Sequence, residues 1–276
     1  MVGPSLANIA ASMTLLLLAE KLVLDFVVPK WASTVESFIS TNGLFPFLMA
    51  SGAVLFTIFY WGVGFILALP PLLGVAQQWK IQQGKALSGR ALLASLPMVF
   101  LNYILGTVLV PLGFYLLLPE KAFDFRALPS TRTLVRDVAV WMVVQEVAFF
   151  YCHRWLHEDK RVYAAVHKMH HTWTAPVSLV AIYCHPFEHV LNNLAPLALG
   201  PILCGSHVAS IGIFIALGLV HTLAVHSGYW LCDDNGMHDE HHAKFNVNYG
   251  VFGVMDAWYG TYQLPAGAVA TDTKSS

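Results

Sequence analysis

Four stretches of the sequence are long and apolar enough to form helices that cross a lipid bilayer, and this restricts the fold more than any other feature. They cover about residues 5–28, 47–73, 91–118 and 134–152. A bilayer core about 30 Å thick needs about 20 helical residues at about 1.5 Å each. The composition agrees, because 57% of the 276 residues are hydrophobic and 11% are charged, against about 25% charged in an ordinary soluble domain. We therefore predict an all-α membrane protein with about four transmembrane helices.

The first and third stretches each allow two interpretations. The first contains Glu20, Lys21 and Asp25, which are costly in lipid, and a signal peptide is the competing interpretation. We favour a retained helix, because the stretch lacks a basic leader and a clear cleavage site. The third contains Pro97 and Pro111, which can break a helix, so a hairpin of two pieces is an alternative to one straight span.

The rest of the topology follows from two shorter segments and from the charges of the loops. The apolar segments 190–204 and 208–225 are separated by Gly205, and both are marginal for crossing, which predicts a short re-entrant hairpin. The connection between the second and third stretches is purely basic, with Lys80, Lys85 and Arg90. Short basic loops face the cytosol, so we expect the fourth helix to end on the cytosolic side.

Charge and cysteine content exclude other classes of protein. Fifteen basic and sixteen acidic residues give a net charge of −1, so no global positive field is available to hold nucleic acid. The four cysteines are far apart in the sequence and match neither a CxxC metal ribbon nor a dense disulfide framework: Cys152, Cys184, Cys204 and Cys232.

Histidine is unevenly distributed, and its spacing indicates metal binding. All thirteen histidines lie between His153 and His242. Eight of them form one HxxxH box and two HxxHH boxes: His153 and His157; His167, His170 and His171; His238, His241 and His242. Residues i and i+4 of an α-helix lie about 40° apart, so we expect each box to point its imidazoles at one spot. A structural zinc takes about four ligands and a catalytic zinc about three, so eight imidazoles suit two metal ions better than one.

The ligands alone do not name the metal, since imidazole suits zinc, copper, iron and nickel. Glu146 precedes the first box by 7 and 11 residues, which places it on the same helical face as His153 and His157. It is therefore a candidate to accept a hydrogen bond that fixes a ligand's tautomer. The alternative is that Glu146 pairs with a polar group elsewhere.

Five further histidines are less certain as ligands. His185 and His189 are four residues apart, so one or both could supplement the metal site. Their HxxEH pattern also matches an inverted zinc-protease motif, but a protease would leave the three boxes unused. His221 and His226 face one site only if the helix ends between them, and His207 lies in a predicted turn.

Taken together, these sequence motifs resemble one known family. The boxes HRWLH, HKMHH and HDEHH, in this order after several hydrophobic stretches, resemble the fatty acid hydroxylase / sterol desaturase superfamily of membrane di-iron oxygenases. The sequence segments between and after the boxes resemble those of C-4 methylsterol oxidases and of the related fatty-acid-hydroxylase-domain-containing proteins. The resemblance covers about residues 137–261, and these segments are HHTWTAP at 170–176, AIYCHPFEH at 181–189, HSGY at 226–229 and the closing segment 249–261.

The resemblance implies an iron-dependent oxidoreductase that oxidises a lipid C–H bond, with the C-4 methyl group of a sterol intermediate as the expected position. It implies two Fe ions, O2, and NAD(P)H-derived electrons delivered by cytochrome b5 or its reductase as a separate donor. The family's ligands carry over to the eight histidines of the boxes and to His185 and His226, whereas His189 and His221 are poor matches. Glu146 and Glu188 are expected to supply negative charge near the metals.

The apolar stretches, the loop charges and the resemblance together give the expected organisation. Residues 1–133 should form transmembrane helices and loops, 134–263 a fatty acid hydroxylase domain, and 264–276 a flexible tail. We expect a multi-pass protein of the endoplasmic reticulum membrane whose helical, histidine-rich di-metal domain lies in the cytosol, although the C-terminus lacks a dilysine retrieval signal. Two alternatives stay open: a hydroxylase or desaturase of fatty acyl or sphingoid lipids, and a metal transporter or metal-buffering membrane protein.

Overall fold

Helices build almost all of the regular structure. The computed structural model describes residues 6–230 and 235–268. Within these residues no strand forms, and an isolated bridge pairs Lys80 with Tyr229. The prediction of an all-α protein is thus confirmed. The last residues of the predicted tail, 269–276, lie outside the described residues.

The N-terminal half consists of long helices that are interrupted by π-helical turns. Helix α1 continues through such a turn, Val23–Val27, into α2, and a second turn, Thr57–Val63, joins α3 to α4. The α-helices described from residue 6 onward in this half are α1 (Leu6–Leu22), α2 (Val28–Asn42), α3 (Leu44–Phe56), α4 (Gly64–Leu73) and α5 (Gly89–Leu117).

The C-terminal half contains one long helix followed by shorter ones. A 3₁₀ helix, His167–Thr172, carries the second histidine box, and a π-helical turn, His189–Leu194, precedes α9. The helices of this half are α6 (Thr131–Glu158), α7 (Lys160–Ala165), α8 (Pro186–Glu188), α9 (Ala195–Cys204), α10 (Val208–Val225), α11 (Met237–Lys244) and α12 (Val254–Tyr259).

Three of the described helical stretches have the length and composition to cross a membrane: Leu44–Leu73, Gly89–Leu117 and Val208–Val225. Leu44–Leu73 and Gly89–Leu117 correspond to the predicted spans 47–73 and 91–118. Gly89–Leu117 is one continuous helix that contains both Pro97 and Pro111, and not two pieces. Val208–Val225 was predicted as half of a re-entrant hairpin, yet its 18 residues are long enough to cross the membrane on their own.

The first and fourth predicted spans also form helices. Within the described residues, however, they do not combine the length, hydropathy and low charge of a helix that could cross a membrane. In α6 the reason is charge, because Arg136, Asp137 and Glu146 interrupt its apolar sequence. Helix α6 instead packs closely on α9, where Gly200 faces Trp141. A Cβ atom at Gly200 would lie 2.7 Å from the Cα atom of Trp141, so a larger residue would separate the two helices.

Buried hydrogen bonds fix segment 174–185 against the long helices. The Ser178 hydroxyl donates to the Gly64 carbonyl at 2.9 Å, and the Tyr60 hydroxyl donates to the Leu179 carbonyl at 3.1 Å. From α5, the amide of Asn102 donates to the carbonyls of Ile182 and Cys184, each at 2.8 Å. Buried polar groups without partners are costly, so these bonds hold the segment between the second box and α8 against two long apolar stretches, Leu44–Leu73 and α5.

Candidate metal centre

The histidine boxes converge on two adjacent clusters of imidazoles. We call them the five-histidine cluster and the four-histidine cluster, and in each the candidate ligand atoms all lie within 4.8 Å of one another. The five-histidine cluster consists of His153, His157, His167, His171 and His241. The four-histidine cluster consists of His170, His226, His238 and His242. Nine of the ten histidines named from the sequence are therefore brought together.

The separations between the ring nitrogens fit bound metal ions. In the five-histidine cluster, the Nε2 atom of His157 lies 2.8 Å from that of His167 and 3.1 Å from that of His171. In the four-histidine cluster, the Nε2 atom of His238 lies 3.0 Å from that of His226 and 3.1 Å from that of His242.

At a metal–nitrogen distance of about 2.1 Å, nitrogens that share one ion lie about 3.0–3.4 Å apart. The five-imidazole and four-imidazole donor sets would therefore suit two metal ions. The spacing does not choose among the metals that imidazole binds.

Backbone carbonyl groups orient the imidazoles. In most cluster histidines the Nδ1 atom lies within hydrogen-bonding distance of a carbonyl oxygen, which leaves Nε2 with a free lone pair toward the cluster. The pairs are His153 with Tyr249 at 2.9 Å, His241 with Val247 at 2.7 Å, His242 with Trp173 at 3.0 Å, His226 with Thr222 at 2.8 Å and His170 with Tyr183 at 3.4 Å. Sequence reasoning missed these partners, because a backbone carbonyl has no sequence signal.

Burial keeps the imidazoles in the neutral form that binds metal. Burial lowers the pKa of His167, His226 and His241 to about 3 and that of His170 to about 4. Neighbouring imidazoles act in the same direction on His157, whose pKa also falls below its usual value. A protonated imidazole cannot bind a metal, so these shifts remove competition by protons at neutral pH.

The boxes are divided between the clusters, and this differs from the expectation that each box points at one spot. The i and i+4 histidines of a box stay together, as His167 and His171 or His238 and His242 do. The middle histidine of each HxxHH box, His170 or His241, joins the other cluster. Adjacent residues of α11 lie about 100° apart, so neighbouring histidines can serve two ions. The second box is moreover a 3₁₀ helix and not an α-helix.

The two carboxylates named from the sequence have different surroundings. Oε1 of Glu188 lies 2.8 Å from Nδ1 of His167, and both side chains are buried. Burial raises the pKa of Glu188 to about 8. The carboxyl group of Glu188 is therefore in direct contact with a candidate ligand and restricts the orientation of that ring.

Glu146, in contrast, anchors a loop. Its Oε2 atom accepts the backbone amides of Val251 and Phe252 at 2.9 and 2.8 Å, and its Oε1 atom accepts that of Met255 at 2.9 Å. These bonds correspond to the second sequence interpretation, in which Glu146 pairs with polar groups elsewhere. Its connection to the metal site is indirect, through the same loop, whose Tyr249 carbonyl pairs with His153.

The remaining histidines lie outside both clusters. His185, which the resemblance implied as a ligand, accepts the backbone amide of Phe187 at 3.2 Å and thereby caps α8. His189 is buried, with its Nδ1 atom 3.2 Å from the side-chain nitrogen of Asn193. His207 caps α10, in agreement with its predicted place in a turn, and His221 is half-buried on α10.

Comparison with known proteins agrees with this geometry. Residues 138–261 match the model of the fatty acid hydroxylase family. This segment contains both clusters, Glu188 and the anchored loop. The chain therefore contains a fatty acid hydroxylase domain, and the resemblance read from the histidine boxes is confirmed.

Curated relatives fall into several named groups. The chain is 41% identical over 138 residues to "Fatty acid hydroxylase domain-containing protein 2" of Homo sapiens, which is 49% of this chain and 41% of that protein. It is 27% identical over 270 residues to a protein of Dictyostelium discoideum named "Putative methylsterol monooxygenase", which is 89% of this chain and 96% of that protein. It is 30% identical to a "Very-long-chain aldehyde decarbonylase" of Oryza sativa subsp. japonica over 58% of this chain and 66% of that protein. The chain thus matches less than half the length of the human relative, and no solved structure matches it significantly.

Proposed function

We propose that this chain is a membrane di-iron monooxygenase that oxidises a C–H bond of a lipid. Its domain belongs to the fatty acid hydroxylase family, and three of its described helices are long and apolar enough to cross a membrane. The observation that carries the proposal is the convergence of nine imidazoles into two adjacent clusters. The five-histidine cluster would hold one iron ion and the four-histidine cluster the other.

When bound, the two ions would activate O2 and accept electrons in turn. The overall reaction inserts one oxygen atom into the C–H bond and releases the other as water, which consumes two electrons and two protons. The chain's own contribution is to keep the imidazoles neutral by burial and to orient them through carbonyl groups. The closed packing around His167 and His241, both fully buried, also excludes water from the oxidising site.

We propose the C-4 methyl group of a sterol intermediate as the position oxidised. The support is the match to the Dictyostelium discoideum relative, because it extends over nearly the whole of both chains. The second candidate is a hydroxylase or desaturase of fatty acyl or sphingoid lipids, which the family description favours. Lipid profiles of cells that lack the protein separate the two: accumulated 4-methyl sterols support the first, and altered acyl hydroxylation supports the second.

We further propose a location in the endoplasmic reticulum membrane with the histidine clusters on the cytosolic side, next to the purely basic loop before α5. In this orientation cytochrome b5 or its reductase would dock on the cytosolic face of the domain and deliver the electrons from NAD(P)H. A metal transporter is disfavoured, because transport sites lie near the bilayer midplane on broken helices. Here the first box ends a helix, at His153 and His157 of α6.

Iron content and oxygen consumption of the purified full chain test this proposal. We expect about two iron ions per chain and oxygen uptake that depends on an electron donor and a lipid substrate. His241→Ala should lose metal and oxygen uptake, whereas His221→Ala, a histidine on α10 outside both clusters, should keep both. Transmembrane metal flux without oxygen uptake would contradict the proposal and support a transporter.

A further inference from the structure

The loop between α4 and α5 reaches the metal centre although it lies far outside the hydroxylase domain in sequence. Its backbone pairs with the segment that directly follows His226: the amide of Ile81 donates to the Gly228 carbonyl at 2.9 Å, and the amide of Trp230 donates to the Trp79 carbonyl at 3.1 Å. Two segments separated by about 150 residues are thus held side by side at the four-histidine cluster.

Gln82 extends from this loop to two further segments. Its side-chain nitrogen donates to the backbone carbonyl of Thr174 at 2.6 Å and to Oδ1 of Asp239 at 2.8 Å. Asp239 is 1% exposed, so its carboxylate depends on protein partners. The two hydrogens of one amide nitrogen match these two acceptors. A glutamate at this position would present oxygen to oxygen, and an apolar side chain would leave both acceptors without this donor.

One acceptor is next in sequence to a ligand of the four-histidine cluster, and the other is next to a residue that orients such a ligand. Asp239 follows His238 on α11, and Thr174 follows Trp173, whose carbonyl pairs with His242 at 3.0 Å. Gln82 therefore fixes the distance between the segment that orients one ligand and the helix that carries two of them.

The five-histidine cluster has different supports. Its rings are oriented by Tyr249, Val247 and Glu188, all of which lie within the hydroxylase domain. Helix α11, which Gln82 contacts through Asp239, carries one ligand of the five-histidine cluster but two of the four-histidine cluster, so the contacts of Gln82 bear more on the four-histidine cluster.

We infer that Gln82 is a positioning residue that holds the four-histidine cluster in its metal-binding arrangement. The inference rests on the proposed function, because it assumes that each cluster holds an ion. It connects the hairpin of α4 and α5 to the loading of one metal site, and it places a functional residue in the half of the chain that the sequence assigned only to the membrane.

Anaerobic loading with Fe(II), followed by competition with a graded chelator and measurement of iron per chain, tests the inference. Gln82→Met keeps the side-chain volume and removes the hydrogen-bond donor. It should lower the affinity for one of the two iron ions by about 10–100-fold, while the other ion stays bound as in the wild type. Gln82→Lys restores a donor to both acceptors and should recover the binding of the weakened ion. Gln83→Met is the matched control, because among the described residues the Gln83 side chain donates to its own loop, to the Lys80 carbonyl at 2.6 Å.

Each outcome has one meaning. If Gln82→Met keeps both ions with wild-type affinity, or if Gln82→Lys fails to restore binding in a folded protein, Gln82 does not position the cluster. Equal loss of both ions would also overturn the inference, since it would show a general effect on folding. If the wild-type chain itself does not bind two iron ions, the proposed function fails, and this result is separate from any effect of Gln82.

Discussion

Replacement of Glu146 by alanine should destabilise the hydroxylase domain without touching the metal ligands. Glu146 is 4% exposed, and its carboxylate accepts three backbone amides at 2.8–2.9 Å. Each buried donor left without an acceptor costs about 1–3 kcal/mol, so three amides give a loss of at least about 3 kcal/mol. One kcal/mol shifts the melting temperature of a domain of this size by about 2–4 °C, so we expect a decrease of about 6–12 °C.

The measurement is thermal unfolding of the metal-free protein in detergent, so that metal binding does not contribute. Glu146→Gln keeps one acceptor oxygen and should lie between the wild type and the alanine variant. Glu158→Gln on the same helix is the control. It removes only the surface pair with Arg154, which is worth about 0.3–0.5 kcal/mol. An alanine variant that melts within about 2 °C of the wild type but consumes no oxygen would refute the anchoring role and assign Glu146 to the chemistry.

The remaining predictions concern the metal centre and its supports. Glu188→Gln replaces the carboxyl group in contact with His167 by an amide and should weaken iron binding by about 10-fold or more in a chelator competition; unchanged affinity would contradict the contact's role. His185→Ala should retain both iron ions, because His185 caps α8 and belongs to neither cluster, and loss of an ion would show that it is a ligand after all. Gly250→Ala should lower the melting temperature, because a Cβ atom there would lie 2.8 Å from Oε1 of Glu146; a wild-type melting temperature would show that the loop can move aside. The metal-free protein should become less stable as the pH falls from 7.5 to 5. The pKa values of His167 and His241 are about 3 in the folded chain and about 6.5 when unfolded, so the unfolded state binds more protons below pH 6.5. At pH 5 this costs about 2 kcal/mol for each of the two residues, and a melting temperature independent of pH would exclude buried neutral imidazoles.

Local periodicity predicted the parts of this molecule that depend on neighbours in sequence. The i, i+4 spacing of His153 and His157 placed both on one face of α6, and the structure assigns both to one cluster. The apolar stretches likewise predicted helices at the right positions. Where charge or proline interrupted a pattern, the prediction was less accurate: α5 is continuous through Pro97 and Pro111, since packing can compensate for a lost hydrogen bond.

Contacts between distant segments were beyond the sequence. The adjacent histidines His241 and His242 serve different clusters, which depends on where the second box lies in space. Glu146 was placed correctly on the face of α6, but its partners are backbone amides more than 100 residues away, and backbone groups leave no pattern in a sequence. No sequence pattern pointed to Gln82, because its role depends on the contact between the loop that joins α4 to α5 and helix α11.

The most direct test of the account is the position of iron in the protein itself. Anomalous difference maps recorded at the iron absorption edge, on crystals of the full chain loaded with Fe(II), would locate every bound ion. We expect two peaks, one within the five-histidine cluster and one within the four-histidine cluster. A single peak, or peaks away from both clusters, would contradict it.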